Sequence, residues 1–193
     1  MPERRNAVFR DMNSAAIMEE ILALHFPDNP LILDLTWGKG AFWRNSKRPV
    51  MGFDMVPRCG ARAAADARHV PVRAEIFDVV VFDPPFLHGL GSTTSTLNLG
   101  SDYTRLKNQK AVRQLYYEAW PELQRVSRSG AIIKCADTIE SGKLNPTHAE
   151  LIAAFGWPTD IAILDSGVVR PMRPNSRVLH LKPAHSYFLI YKW

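Results

Sequence analysis

The chain has 193 residues, 46% of them hydrophobic, which suits one globular domain with a core of its own. No apolar run approaches the ~20 residues of a membrane span, and the charged start MPERRNAVFRDMN lacks the apolar stretch of a signal peptide, so a cytoplasmic setting is expected. With 24 Lys and Arg against 19 Asp and Glu, the formal charge of +5 is compatible with a nucleic-acid partner and equally with a solvated surface.

Cys59 and Cys135 are isolated, and the six histidines have no metal-ligand spacing, so neither a disulfide framework nor a metal site is expected. In chain order, residues 13–26 predict an amphipathic helix. Ile17, Ile21, Leu22 and Leu24 mark its apolar side, with Asn13 or Ser14 as cap. Leu31–Leu35 is a short buried strand with Asp34 near its tip. Gly38-Lys39-Gly40 then makes a tight turn, where missing Cβ atoms let the backbone approach a ligand. Residues 50–56 form a second strand ending in Asp54, where a dinucleotide fold holds ribose hydroxyls on a carboxylate. A small-residue helix, Ala61 to Ala65, leads into Asp66. His69 reads as a packing or surface histidine.

Phe77 to Phe86, FDVVVFDPPF, organises the chain. Val79, Val80, Val81 and Phe82 have no polar side, as in a strand buried on both faces of a parallel sheet. Pro84 and Pro85 end it, because two donors are gone and two φ angles are locked. The Asp83 carboxylate and the Pro84 carbonyl are two acceptors for the two hydrogens of an amino group, and Phe86 offers a flat face for a planar ring. Read alone, the segment can also be a core strand closed by a proline turn.

Residues 87–104, rich in Gly, Ser and Thr, form a loop that either closes over a substrate or lies on the surface, and His88 falls in it. A helix covers 105–128, with Leu115, Ala119, Leu123 and Val126 on one side. Arg105, Lys107, Lys110 and Arg113 lie near its start, facing solvent or a phosphate backbone. Ala131–Cys135 is a strand with Asp137 beyond it. Residues 147–155 form a helix with Thr147 as cap and Glu150 at the capping-box position. Two final strands, the last at Tyr187–Tyr191, flank a basic segment, VVRPMRPNSR, that is either a nucleic-acid contact or a solvated tip.

Asp83-Pro84-Pro85-Phe86 resembles the Asp-Pro-Pro-Tyr/Phe motif of the S-adenosylmethionine-dependent amino methyltransferases, which methylate exocyclic amines of nucleic-acid bases. The strand, acid and Gly-x-Gly around Asp34, Gly38 and Gly40 are similar to the first motif of the class I enzymes, with Trp37 as a departure beside the first glycine. The resemblance covers nearly the whole chain. It implies a Rossmann-like class I fold: a mostly parallel seven-stranded sheet with a C-terminal antiparallel hairpin and helices on both faces. It implies one catalytic domain over 1–193 without a separate target-recognition domain. It also implies S-adenosylmethionine as cofactor, held by Asp34, Thr36, Gly38, Gly40, Asp54 and Asp66, with Asp83, Pro84, Pro85 and Phe86 as the catalytic turn. The implied reaction is methylation of adenine N6, in DNA before RNA. RNA base methylation, at adenine N6 or guanine N2, and a non-catalytic nucleic-acid-binding module are the alternatives. Relaxed specificity is expected, or else contacts supplied by a homodimer or an accessory partner.

Overall fold

The computed structural model describes residues 6–57, 60–86, 106, 108–140, 142–165 and 183–193. In chain order its elements are β1 (Val8–Arg10), α1 (Ser14–His25), β2 (Ile32–Asp34), β3 (Val50–Asp54), β4 (Ala63–Ala64), β5 (Phe77–Phe82), α2 (Gln109–Val126), β6 (Ser127–Cys135), β7 (Thr138–Glu140), β8 (Lys143–Asn145), α3 (Thr147–Phe155), β9 (Asp160–Asp165) and β10 (His185–Lys192). Among the described residues, eight strands form one sheet in the order β1-β9-β10-β6-β5-β2-β3-β4, and β7 and β8 form a separate ribbon. Only β10 of the large sheet runs antiparallel to its neighbours. The mostly parallel sheet with an antiparallel closing strand is therefore the one expected. The count of seven is corrected to eight, because Val8–Arg10 adds to the edge in register with Ile163–Asp165. A three-residue strand at an edge has little periodicity to betray it.

Side-chain alternation along the strands divides the core into two layers. Ile32, Val79, Val81, Ile132, Phe188 and Ile190 point to one face and are covered by Ile17, Met18, Ile21 and Leu22 of α1. Leu33, Val80, Phe82, Ala131, Ile133 and Leu189 point to the other and are covered by Val112, Tyr116, Ala119 and Leu123 of α2, with Leu151 of α3. The central β5 is covered on both sides, and Val79, Val80 and Val81 are wholly buried. Asn13 caps α1 by accepting from the Ala16 N–H at 2.9 Å, and Asn108 does the same for Ala111 in α2. Leu24, expected on the apolar side of α1, is half exposed, and Met18 takes its place.

Three local expectations are corrected. Ala63–Ala64 is a strand rather than part of a helix. A segment of only five residues cannot carry the cost of helix nucleation, and the backbone instead pairs with β3, Arg62 N–H to Gly52 O at 2.7 Å and Ala65 N–H to Asp54 O at 2.9 Å. The glycine turn after β2 leads into a single 3-10 turn, Ala41–Trp43, rather than a full helix. Thr147 does not cap α3: it is the first helical residue, buried, with its hydroxyl facing Gln109 Nε2 at 3.4 Å, while Glu150 pairs with Arg113 at 2.6 Å. That ion pair takes Arg113 out of the cationic cluster read as facing either solvent or a phosphate backbone. Arg105, Lys107, His88, Cys59, the 87–104 loop and the basic segment lie outside the described residues.

Candidate active site

Sequence order reverses direction at the β2–β5 boundary. From β2 the sheet grows one way through β3 and β4, and from β5 the other way through β6. Open α/β sheets bind ligands beyond the carboxyl ends of their strands at such a point. Ile32, Leu33 and Asp34 pair with Val79, Val80 and Val81, so the two motif-bearing strands end side by side.

Asp34 is buried and its lone pairs are engaged. Oδ1 accepts from the Thr36 N–H at 2.8 Å and from its hydroxyl at 3.3 Å, and Oδ2 accepts from Trp43 Nε1 at 2.6 Å. Burial pushes its carboxyl up to about 7 despite these donors, and the charge of nearby Asp83 adds to the rise. Asp34 thus braces the turn from below. Thr36, one step beyond the strand, also accepts from the Asp83 N–H at 2.7 Å.

Gly38 and Gly40 both adopt left-handed φ, +53° and +65°. A Cβ at Gly38 would find only the Thr36 carbonyl, 3.9 Å away, so the space over this glycine is open. A Cβ at Gly40 would lie 2.9 Å from the Trp37 ring, and one at Gly52 only 2.0 Å. The Trp37 indole therefore lies flat against both glycines. Asp54, at the end of β3, closes the turn by accepting from the Gly38 N–H at 2.7 Å and the Val56 N–H at 3.1 Å. Asp66 is grouped less closely. Arg68 holds it through Nε and Nη2, at 2.6 Å for the shorter contact, and reaches Glu118 with Nη1 at 3.1 Å. The Arg68 guanidinium keeps the Asp66 carboxyl below the usual range.

Asp83 stands one residue past β5 rather than at its last position, followed by buried Pro84 and half-buried Pro85 and Phe86. Burial raises its carboxyl, opposed by Lys134, whose Nζ is 3.4 Å from Oδ2. The sequence reading missed Lys134. Its signal was a single cation in the apolar run Ile132-Ile133-Lys134-Cys135, at the carboxyl end of a buried strand, and Phe82 pairs with Ile133 so that the next residues are neighbours. A second group follows β6. Asp137 Oδ1 lies 2.8 Å from His148 Nδ1, and the His148 ring stacks on Tyr187 with ring centroids 4.0 Å apart.

The assembled site is a glycine turn flanked by the carboxylates of Asp34 and Asp54, next to a turn bearing the Asp83 carboxylate and the Phe86 ring. No protein-family model matches the chain, and no curated protein matches it. Among solved structures it is similar to a Thermoplasma acidophilum protein, with TM-score 0.53 and 13% identity over 93% of this chain and 87% of that one. It is similar to a Pyrococcus horikoshii protein at TM-score 0.51 and 15% identity, over 91% and 87%. It is also similar to the 1,6-didemethyltoxoflavin-N1-methyltransferase of Burkholderia thailandensis at TM-score 0.52 and 17% identity, over 94% and 79%. With this strand order and these likenesses, the chain has the Rossmann-like class I methyltransferase fold.

Proposed function

We propose that the chain is an S-adenosylmethionine-dependent methyltransferase acting on the exocyclic amine of a nucleic-acid base, adenine N6 in DNA foremost. The observation that carries the reading is the adjacency of the Gly38–Gly40 turn and the Asp83-Pro84-Pro85-Phe86 turn at the reversal of the sheet. The open space over Gly38 and the carboxylate of Asp54 beside it suit the methionine and ribose portions of that cofactor. The Burkholderia protein of the same fold is a methyltransferase with bound S-adenosylhomocysteine, which supports the choice.

When bound, S-adenosylmethionine supplies an electrophilic methyl group on a sulfonium. The protein's part is position and charge. Gly38 and Gly40 give backbone access to the methionine end, with Asp34 and Thr36 bracing the turn that presents them. Asp54 holds the ribose. Asp66 accepts from the adenine amine once Arg68, which engages both of its oxygens, yields one contact. Asp83 and the Pro84 carbonyl accept from the two hydrogens of the target amine, which aims its lone pair along the transfer axis. Phe86 stacks the base. The proton released as the amine is methylated passes to Asp83 or to water. Sequence recognition comes from a second copy or an accessory protein.

The test is transfer of label from radioactive S-adenosylmethionine to unmethylated DNA, bulk RNA and a protein extract in separate reactions, with the modified nucleoside identified after digestion. N6-methyladenine in DNA is expected. Label in RNA retains the chemistry and moves the substrate. No label anywhere, together with no cofactor binding by calorimetry, overturns the reading.

A further inference from the structure

Lys134 is the feature of the site that neither motif accounts for. Its side chain is 11% exposed, at the carboxyl end of β6 directly after the buried apolar run Ala131-Ile132-Ile133. Burying an ammonium there is unfavourable unless it is fully partnered. The partners are one carboxylate and three aromatic faces. Nζ lies 3.4 Å from Asp83 Oδ2, and 5.3, 5.3 and 5.6 Å from the ring centroids of Phe42, Phe86 and Phe188. Each ring presents its negative face to the cation. Phe42 comes from the turn after the glycines, Phe188 from β10, and Phe86 from the catalytic turn itself. One side chain thus touches both parts of the acceptor site, the carboxylate and the stacking ring.

We propose that Lys134 is the positioning residue of the acceptor site: it holds the Asp83 carboxylate charged and fixed against Phe86, leaving Oδ1 to receive the target amine. This rests on the reading of Asp83 as the amine's acceptor. The need for such a residue is visible in what surrounds Asp83. Asp34, at the tip of β2, is a second carboxyl and brings no positive charge. Tyr116 of α2 and Cys135 of β6 lie near, and burial pushes both of those groups up, so that they stay protonated and offer no positive charge. Among the described residues, Lys134 is the one cation acting on Asp83. A protonated Asp83 has lost acceptor capacity and would present a hydrogen toward the amine it must orient.

The test compares Lys134→Met, which keeps the stem and removes the charge, with Lys134→Arg, which keeps the charge. Ionisation of Asp83 is followed by carbon NMR of labelled aspartate carboxyls, assigned with Asp83→Asn, so the readout does not depend on turnover. In Lys134→Met the Asp83 midpoint is expected to rise by about one to three pH units. In Lys134→Arg it stays near that of the wild type. In the transfer assay the acid limb of the kcat profile moves up with it, and turnover at neutral pH falls about 100-fold, with cofactor affinity retained. Should Lys134→Met not fold by circular dichroism, Lys134→Gln takes its place. An unmoved Asp83 midpoint in a folded charge-removing variant overturns the proposal, whatever the activity. An acid limb that does not move in such a variant overturns it too. A moved midpoint in a protein whose wild type transfers no methyl group supports the charge-holding role and refutes the methyl-transfer reading instead.

Discussion

The Thr36 hydroxyl accepts from the Asp83 N–H at 2.7 Å while donating to Asp34 Oδ1 at 3.3 Å. One side chain therefore ties the tips of β2 and β5, the strands that carry the glycine turn and the Asp-Pro-Pro-Phe turn. Beyond Asp34 and Phe82 the regular ladder ends, and this link carries the pairing one step further toward the site.

Removing the link leaves the Asp83 N–H without its partner. Thr36→Val, close in shape, is expected to destabilise the fold by about 1–3 kcal/mol. Thr36→Ser should retain most of the stability. Urea unfolding checks this: the midpoint should fall in the valine variant with the slope unchanged.

Asp34 makes stability depend on pH in an uncommon direction for a carboxylate. Its folded value of about 7 stands above the unfolded value of about 3.9. Between the two, the native chain keeps a proton that the unfolded chain has released, so stability falls as pH rises from about 4 to about 7. Asp34→Asn removes that slope. It also turns amide hydrogens toward one of the donors of Asp34, so it lowers stability most at the acid end of the window. Unfolding midpoints of the two proteins across this window give the comparison, and parallel curves would contradict it.

Trp37 and Gly52 are coupled by contact. A Cβ at Gly52 would sit 2.0 Å from the indole, so Gly52→Ala forces the ring off its place and should cost about 1–3 kcal/mol. With Trp37→Ala already present the same change should cost far less. A double-mutant cycle by chemical denaturation is expected to return a coupling of about 0.5–3 kcal/mol, and additive effects would refute the packing.

The two turns should separate by function. Asp83→Ala is expected to retain cofactor affinity and lose about 100-fold or more in turnover, because the target amine loses its acceptor and Lys134 its carboxylate partner while the glycine turn is untouched. Gly40→Asp places a side chain at φ +65° and 2.9 Å from Trp37, and should abolish cofactor binding with the fold retained. Calorimetry and single-turnover rates distinguish the two, and unchanged cofactor affinity in Gly40→Asp would undo the assignment of that turn.

What the sequence by itself determined is what depends on neighbours along the chain. A run of valines with no polar side can only be a covered strand, and consecutive prolines can only end it. Apolar residues three and four apart make Ser14–His25 and Gln109–Val126 helices. Alternation of these units, with a last pair of strands not separated by a helix, implies a mostly parallel sheet with one antiparallel strand. The tertiary structure alone decided what depends on residues far apart in the chain. Ala63–Ala64 became a strand because β3 offered an edge, against the preference of alanine. Trp37 proved to be packing for Gly40 and Gly52 rather than an oddity of the turn. Arg68, which holds Asp66 beside it, was drawn to Glu118 from 50 positions away, and Lys134 was brought from 51 positions away to Asp83 by the register of β5 on β6. Hydrophobic periodicity is a local property and is written in order. Charge pairing and close approach are set by distance in space, which no spacing along the chain records.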